Sequence, residues 1–331
     1  MSPVTGGRQW SARLAGSLRA MLGVMLLVYV LKSGGAWASV QALFATVWLV
    51  ALLNVVPLVG AAVESGRLAV LCHARGMTLP FPTGFRIVAI GALFNLWVPG
   101  GTGGDVMKLY YLAARHPGRK VEIATVLFVD RAVAFFALLV LLLGLLVFQT
   151  ELLTVPTVRA AAIGVVLCLV LLMGGATVVG SVRIKNSGAS RALLARIPLG
   201  RYVARAAGAA HEFRGHKRAL LTAALLSFSG HCLLAATLAV AGSVLLPATA
   251  PLVASTLALL GLVANVLPVT PGGLGIGEAA SEGLFRSIGV TGGAGLVAAW
   301  RTGMLLIGAI GAGFYTFGVR TAHAGSDDQG R

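Results

Sequence analysis

Acidic residues, and charged residues in general, are scarce in this sequence. Asp and Glu together number 10 against 26 Lys and Arg, and charged residues make up 11% of the 331 residues. Hydrophobic residues make up 57%, and the mean hydropathy is +0.91. A chain with so few polar side chains cannot cover the surface of a water-soluble globule. The composition therefore predicts an integral membrane protein.

Cysteine is also rare, and the motifs of common cofactor sites are missing. Cys72, Cys168 and Cys232 stand alone in apolar sequence without CxxC or Cys/His spacing, which argues against a disulfide framework or a zinc site. Neither a GxxxxGK[ST] motif nor a GxGxxG between a strand and a helix occurs. No polar stretch approaches the roughly 50 residues of a small soluble domain. We therefore expect no metal and no cofactor.

The formal net charge of +16 raises the question of a nucleic-acid partner. The basic residues lie between hydrophobic runs rather than on one polar segment. This distribution is typical of membrane topology and of contact with anionic lipid headgroups. We therefore expect membrane lipids, and no nucleic acid, as partners.

Five apolar stretches are long enough to cross a bilayer, which takes about 20 residues. These stretches are roughly 40–63, 121–149, 158–181, 219–246 and 291–317. The N-terminal run 18–31 is shorter, and Ala36-Trp37-Ala38 resembles a signal-peptidase site after it. The long basic segment before the run and the polytopic chain favour a retained helix over a cleaved signal sequence.

Two further apolar segments, about 87–112 and 252–288, are each interrupted by a cluster of Pro and Gly. The clusters are residues 98–105 and 268–278. A helix cannot continue through them, because prolines lack the donor and dense glycines lose too much entropy. Inside a bilayer, unwound backbone survives only where protein or water satisfies its polar groups. We therefore predict two re-entrant hairpins with their broken tips in the protein interior.

The positions of Lys and Arg support this topology. We assign both termini and segments 65–86, 108–120 and 182–218 to the cytoplasm. With this assignment, 21 of the 26 basic residues lie on the cytoplasmic side. The first broken segment must then enter and leave from the cytoplasm, and the second from outside. Segment 182–218 is predicted to be a basic cytoplasmic loop, lying along the inner leaflet or serving only topology. Residues 321–331 are predicted to be a disordered tail.

The two halves of the chain, about 40–149 and 219–317, repeat one pattern in opposite orientation. Each contains a span, a broken hairpin and a second span, and Asn95 and Asn265 are 170 residues apart in matching places. Such interrupted segments in inverted halves point to a transporter site near the midplane; the alternative is coincidental kinks in an ordinary bundle. We predict an all-α integral membrane protein of about six transmembrane helices and two re-entrant hairpins in an inverted repeat, forming a single polytopic domain over 1–320.

Charged residues within apolar segments are the candidates for function, because a charge at a helix centre costs about 2.5–3.5 kcal/mol on insertion scales. Asp105 and Glu278 follow the glycine clusters, where an acid suits the positive end of a helix dipole. Arg131 and Arg301 lie within spans, and we expect the two acids near them. Either the arginines meet an anionic headgroup in a cavity, or the charges form structural ion pairs. The other acids in or beside apolar segments are Glu64, Glu122, Asp130 and Glu282.

Three uncharged polar side chains in these segments have simpler expected roles. Asn95 and Asn265 are placed to hydrogen-bond the unwound backbone. His231 lies well inside a span, where a packed or backbone-bonded histidine is expected in preference to a proton relay.

The two clusters, together with Asp130-Arg131, resemble signatures of the lysylphosphatidylglycerol-synthase transmembrane region, a flippase-like family. Asn95-x-x-x-Pro99-Gly-Gly-x-Gly-Gly-Asp105 resembles the first signature, and Pro268-x-x-Pro271-Gly-Gly-x-Gly-x-x-Glu278 the second. The resemblance covers about residues 15 to 318. It implies a substrate-binding set of Asn95, Pro99, Gly100, Gly101, Gly103, Gly104, Asp105, Lys108, Asp130, Arg131, Asn265, Pro271, Gly272, Gly273, Gly275, Glu278 and Arg301.

The resemblance implies lipid translocation. We expect a non-enzymatic flippase of the plasma membrane that moves an anionic phospholipid or a polyprenyl-linked lipid between leaflets. A second copy of the chain or proteins of envelope biosynthesis are further expected partners. After Val319 about a dozen polar residues remain, so we expect no soluble aminoacyl-transferase domain and no lipid aminoacylation. Lys108 stands where the family often has arginine, which keeps the charge but loses bidentate phosphate geometry.

Two other functions compete with a flippase. An intramembrane transferase using a lipid-phosphate substrate would need paired acids on a loop, and the sequence offers only Asp327-Asp328 near its end. An accessory subunit of a glycolipid pathway would have no need of charged residues in an interior cavity.

Overall fold

The computed structural model describes residues 46–98, 102–180, 213, 215–266, 270 and 272–327, and the regular elements in these ranges are helices. In the first half they are α1 (Val47–Ala74), α2 (Phe81–Trp97), α3 (Gly103–Arg115) and α4 (Lys120–Val147). A 3-10 helix (Thr150–Thr154) and α5 (Pro156–Gly180) follow. In the second half they are α6 (Lys217–Leu245), α7 (Pro251–Val263), a 3-10 turn (Ala264–Val266), α8 (Ile276–Arg286) and α9 (Gly293–Asp327). The protein is an all-α membrane protein, as predicted.

Five of the described helices, α1, α4, α5, α6 and α9, are long and apolar enough to cross a membrane. They match the five predicted spans, with one correction at the first. Helix α1 continues to Ala74 rather than ending near residue 63, because apolar sequence resumes at Leu68. The helical bounds of α9 reach Asp327, past the predicted end of the span at about 317 and into the predicted tail 321–331. The predicted span 18–31 and most of the 182–218 loop lie outside the described residues.

The two interrupted segments are pairs of short helices, as predicted. Helices α2 and α3 have 17 and 13 residues, and α7 and α8 have 13 and 11. At 1.5 Å per residue these helices are roughly 17–26 Å long, which is too short for a hydrocarbon core of about 30 Å. The first pair is longer than the predicted 87–112, because α2 begins at Phe81 and α3 ends at Arg115.

Helices α7 and α8 form a tight antiparallel hairpin. A Cβ atom at Gly261 would lie 2.7 Å from the Ser281 Cβ, and one at Gly277 would lie 2.6 Å from the Asn265 Oδ1. Gly261 thus meets Ser281, and Asn265, which follows Gly261 in the chain, meets Gly277, which precedes Ser281. This reversed order is the geometry of a hairpin. Small residues permit this close approach of two helix backbones.

The described chain forms two compact units. The first unit comprises the described parts of Met1–Leu58, Ala89–Val106 and Ala235–Arg331, and the second comprises those of Val59–Val88 and Met107–Leu234. Each half of the predicted repeat therefore contributes to both units.

In the first unit, glycines of α9 lie against backbone carbonyls of other helices. A Cβ atom at Gly303 would meet the Leu53 carbonyl oxygen and the Pro57 ring, and one at Gly311 would meet the Ala89 carbonyl oxygen. Pro57 lies inside α1 and has no N–H, so the Leu53 carbonyl lacks its usual partner in the helix. Because the Leu53 carbonyl has no helical hydrogen bond and Gly303 has no side chain, α9 packs closely against this turn of α1.

In the second unit, α4 packs against α5, and α5 presents an apolar face outward. Ile163, Leu167 and Leu171 recur at intervals of four and are 62%, 56% and 65% exposed. A continuous exposed apolar face on one helix suits contact with lipid chains rather than with water.

Candidate functional site

The second helix break is a glycine turn that other residues cannot easily form. Gly272, Gly273 and Gly275 have φ angles of +58°, +68° and +82°. Left-handed backbone costs a side-chain-bearing residue roughly 1–2 kcal/mol, and glycine avoids that cost. Gly275 ends the turn and begins α8 at Ile276. The dense glycines of the sequence motif therefore have a direct geometric reason.

A buried ion pair holds this turn. The Glu278 side chain is 0% exposed, and its Oε1 accepts a hydrogen bond from Arg301 Nε at 2.5 Å. Its Oε2 accepts from Arg301 Nη2 and from the Gly275 N–H, both at 3.0 Å. Arg301 Nη1 also donates to the Gly272 carbonyl at 2.9 Å, and Nη2 donates to the Gly273 carbonyl at 3.2 Å. The sequence predicted Glu278 near Arg131 or Arg301, and its partner in the structure is Arg301.

Two equivalent asparagines lie beside the two breaks, but their contacts differ. Asn95 Oδ1 accepts a hydrogen bond at 2.7 Å from the Gly104 N–H, in the first turn of α3, where helix N–H groups lack helical acceptors. The expected backbone contact of Asn95 is therefore confirmed. Asn265 lies against Gly273 and Gly277, yet its Oδ1 is buried without a hydrogen-bond partner among the described residues.

The glycine turn of the second break lies against the end of α2, beside the first break. A Cβ atom at Gly272 would lie 3.3 Å from the Asn95 carbonyl oxygen and 3.4 Å from the Leu96 Cα. The second break therefore meets the end of α2 within the first unit. We call Gly272, Gly273, Gly275, Glu278 and Arg301 the turn cluster.

The second unit contains its own buried charges. Arg67 donates to Asp130 through Nε at 2.6 Å and through Nη2 at 2.8 Å, and its Nη1 donates to Ser227 Oγ at 3.1 Å. The side chains of Arg67 and Asp130 are 9% and 3% exposed. Arg67 was counted from the sequence as a base of the cytoplasmic loop 65–86. Arg67 does not lie in a loop, because α1 continues through it and buries it. The cytoplasmic side of this segment stays a prediction.

Lys108 forms another ion pair of this unit. Its Nζ donates to Glu64 Oε1, and the side chain of Lys108 is 6% exposed while that of Glu64 is 33% exposed. Glu64 also interacts electrostatically with Arg67 and Arg131. We call Glu64, Arg67, Lys108, Asp130 and Ser227 the polar cluster. Its accessible member is the Glu64 carboxylate.

Arg131 does not have the position expected from the repeat. Its side chain is exposed, whereas that of Arg301 is buried. The sequence placed both arginines in one interior, since their positions match at a constant offset. Asp130, one residue earlier, is the group that α4 buries, and its partner comes from α1. The arginine bound to Asp130 is Arg67, which the sequence motifs did not indicate.

The remaining predicted residues fall into two groups. Gly103 and Gly104 are buried against α2, and Asp105 is half-buried in the first turn of α3, as its place after the glycine cluster predicted. Four residues of the predicted set lie outside the described ranges, namely Pro99, Gly100, Gly101 and Pro271.

Two polar side chains have anchoring roles near the sites. Glu282 Oε2 accepts from the N–H groups of Gly292 and Ala294 at 3.2 and 3.1 Å, and thus caps the start of α9. Its other oxygen accepts from Arg286 Nε at 2.9 Å. His231 Nε2 lies 3.0 Å from the Ala134 carbonyl oxygen, which confirms the expected backbone-bonded histidine. Glu282 was noted in the sequence only as an acid in an apolar segment.

Together these contacts describe a helical membrane protein with an unwound turn and two buried arginine–carboxylate pairs. Such broken helices place fixed dipoles and charges inside an apolar body, where they interact strongly with a polar ligand. No curated protein and no solved structure matches the chain. The family model described as the lysylphosphatidylglycerol synthase TM region matches residues 13–310. The chain therefore belongs to the lysylphosphatidylglycerol synthase transmembrane-region family.

Proposed function

We propose that this protein translocates a lipid with an anionic headgroup between the leaflets of the plasma membrane, without catalysing a chemical reaction. The observation that carries the proposal is the turn cluster, in which a fully buried Arg301–Glu278 pair holds unwound backbone. Unwound backbone at membrane depth persists where it is buried in protein or lines a polar path. Membership in a family named for lysylphosphatidylglycerol synthesis supports a lipid as the substrate.

Within this proposal the two buried arginines hold the protein structure rather than the substrate. Nε and both Nη atoms of Arg301 already donate to Glu278 and to the carbonyls of the turn. The three nitrogens of Arg67 likewise donate to Asp130 and Ser227. An arginine whose three nitrogens all donate to protein acceptors fixes the geometry of its surroundings. We therefore assign direct contact with the headgroup to a different residue.

We assign the headgroup contact to Lys108. Its ammonium is paired with Glu64, the member of the polar cluster that is 33% exposed. A lipid phosphate that approaches Glu64 can take over the ammonium, because a lysine is a mobile point charge with three donors. The exchange of one carboxylate for one phosphate keeps the ammonium of Lys108 paired with an anion. The substrate class is accordingly a phospholipid or polyprenyl lipid with a phosphate, and both termini are proposed to be cytoplasmic.

The test is a comparison of two lysine variants in proteoliposomes. Lys108→Gln should slow translocation of a fluorescent anionic phospholipid about tenfold, since a charge-assisted hydrogen bond contributes about 1.5–3 kcal/mol. The matched control is Lys120→Gln, which removes an exposed lysine at the start of α4. Thermal unfolding in detergent checks that both variants are folded. Equal rates for wild type, Lys108→Gln and Lys120→Gln would refute the assignment of Lys108.

A further inference from the structure

A basic cavity lies in the second unit, apart from the polar cluster. Its volume is about 810 Å³. Its polar lining consists of His73, His216, Lys217 and Arg218, and Val70 and Leu79 are among its apolar lining residues. We call this space the basic cavity. A volume in the range of about 300–1,000 Å³ is typical of small-molecule sites and exceeds the need of a lone phosphate ion.

The start of α6 forms one wall of the basic cavity. The helix begins at Lys217, and the Leu220 N–H donates to the His216 carbonyl at 3.1 Å. The N–H groups of Lys217, Arg218 and Ala219 therefore precede the first helical hydrogen bond, and these three residues line the cavity. The positive end of a 29-residue helix dipole adds to the charges of the two side chains.

The histidine at this helix start adds a second observation. His216 Nδ1 is buried and has no hydrogen-bond partner among the described residues. The ring packs edge-on against Phe213 with centroids 6.1 Å apart, and the guanidinium of Arg75 lies 5.9 Å from the same Phe213 ring. The Arg75 cation and the His216 imidazole therefore both contact the Phe213 ring, and His216 lines the cavity.

The loop beside the cavity is fixed by the residues between α3 and α4. Arg119 donates to the Arg75 carbonyl at 2.5 Å and to the Gly76 carbonyl at 3.2 Å. His116 Nε2 lies 3.2 Å from the Thr78 carbonyl oxygen. The acid in this group of contacts, Glu122, is paired with Arg119. The loop that carries Leu79 is thus held in place before any ligand arrives.

We propose that the basic cavity binds the phosphate of an anionic phospholipid headgroup, with the glycerol and the start of an acyl chain along Val70 and Leu79. The cations and helix N–H groups supply donors for the phosphate oxygens. The apolar wall favours a lipid over free phosphate, because a soluble anion gains nothing from apolar contact. This binding claim goes beyond the proposed translocation and does not depend on it.

The experiment measures equilibrium binding to the full chain in detergent micelles by isothermal titration calorimetry. The probes are dioctanoyl phosphatidylglycerol, dioctanoyl phosphatidylcholine and inorganic phosphate. Wild type should bind dioctanoyl phosphatidylglycerol more tightly than dioctanoyl phosphatidylcholine. It should not bind inorganic phosphate in the same concentration range. Equal competition by inorganic phosphate would show a free-anion site and would overturn the lipid assignment.

Two variants test the location of the site. Arg218→Gln should weaken phosphatidylglycerol binding about tenfold, from the loss of one charge-assisted contact. The matched control, Arg159→Gln, removes an exposed arginine from the first turn of α5 and should leave binding unchanged. Ala69→Phe fills the cavity without changing charge and should also weaken binding. Equal affinities for wild type, Arg218→Gln and Ala69→Phe would overturn the proposal, whatever the translocation rate.

Discussion

Arg301 shows why an arginine is required at the turn cluster. Its planar guanidinium donates to both oxygens of Glu278 and to two carbonyls that the glycine turn leaves outside any helix. A lysine has a single nitrogen and cannot reach these acceptors in one plane. The residue therefore neutralises a buried carboxylate and satisfies unwound backbone at the same time.

The first prediction concerns the partners of this ion pair. Arg301→Ala should lower the free energy of unfolding by about 3–5 kcal/mol, because it leaves Glu278 buried and unpaired. The double variant Arg301→Ala/Glu278→Gln should recover most of this loss, as measured by thermal unfolding in detergent. Translocation should stay slow in the double variant, since the turn carbonyls have lost their donors.

The matched control for this pair replaces the other acid of the repeat. Asp105→Asn, combined with Arg301→Ala, should recover none of the lost stability, because Glu278 is the carboxylate that Arg301 binds. Recovery by Asp105→Asn and not by Glu278→Gln would contradict the geometry of the turn cluster.

The next prediction compares two glycines in and after the same turn. Gly273 has a φ of +68°, and an added Cβ would lie 2.6 Å from the Asn265 Oδ1. Gly273→Ala should therefore lower the unfolding temperature, through about 1–2 kcal/mol of backbone strain and the displacement of Asn265. Gly283, inside α8, has open space around its Cβ position. Gly283→Ala should be neutral or stabilising by up to about 1 kcal/mol, and equal destabilisation by the two variants would count against a strained turn.

At the scale of elements, the helices and their breaks follow from hydropathy and from Pro and Gly. The long apolar runs predicted α4, α5, α6 and the apolar part of α9 (Gly293–Phe317) to within a few residues, because burial in lipid selects length and apolarity directly. The end of α1 was less predictable. Glu64 and Arg67 interrupt its apolar run, and a local pattern cannot show that partners elsewhere neutralise them.

Those partners are distant in sequence, which limits what motifs reveal about the site. Arg67 pairs with Asp130 across 63 positions, and Lys108 pairs with Glu64 across 44. A motif and a matched offset singled out Glu278 and Arg301, although they left open whether Glu278 lies near Arg131 or Arg301. No equivalent signal marks Arg67, whose position after an apolar run is typical of a topogenic base.

At the scale of the whole chain, the order of helices repeats. Each half has a long helix, two short helices and another long helix, the order predicted from the sequence. The opposite orientation of the halves stays a prediction. The positive-inside rule predicts which connecting segments lie on each side of the membrane. In a background without Cys72, Cys168 and Cys232, a membrane-impermeant maleimide added outside should label Glu151→Cys and spare Arg218→Cys. Labelling of Arg218→Cys from outside would refute the proposed topology.

The central claim is that this chain moves an anionic lipid across a bilayer, and one measurement tests it most directly. Purified protein is reconstituted into liposomes that contain a trace of nitrobenzoxadiazole-labelled phosphatidylglycerol, and dithionite is added outside. The fluorophore in the inner leaflet should be reduced faster than in protein-free liposomes, and faster than with labelled phosphatidylcholine. Anionic lipid that stays protected as in protein-free liposomes, despite correctly folded protein, would contradict the account.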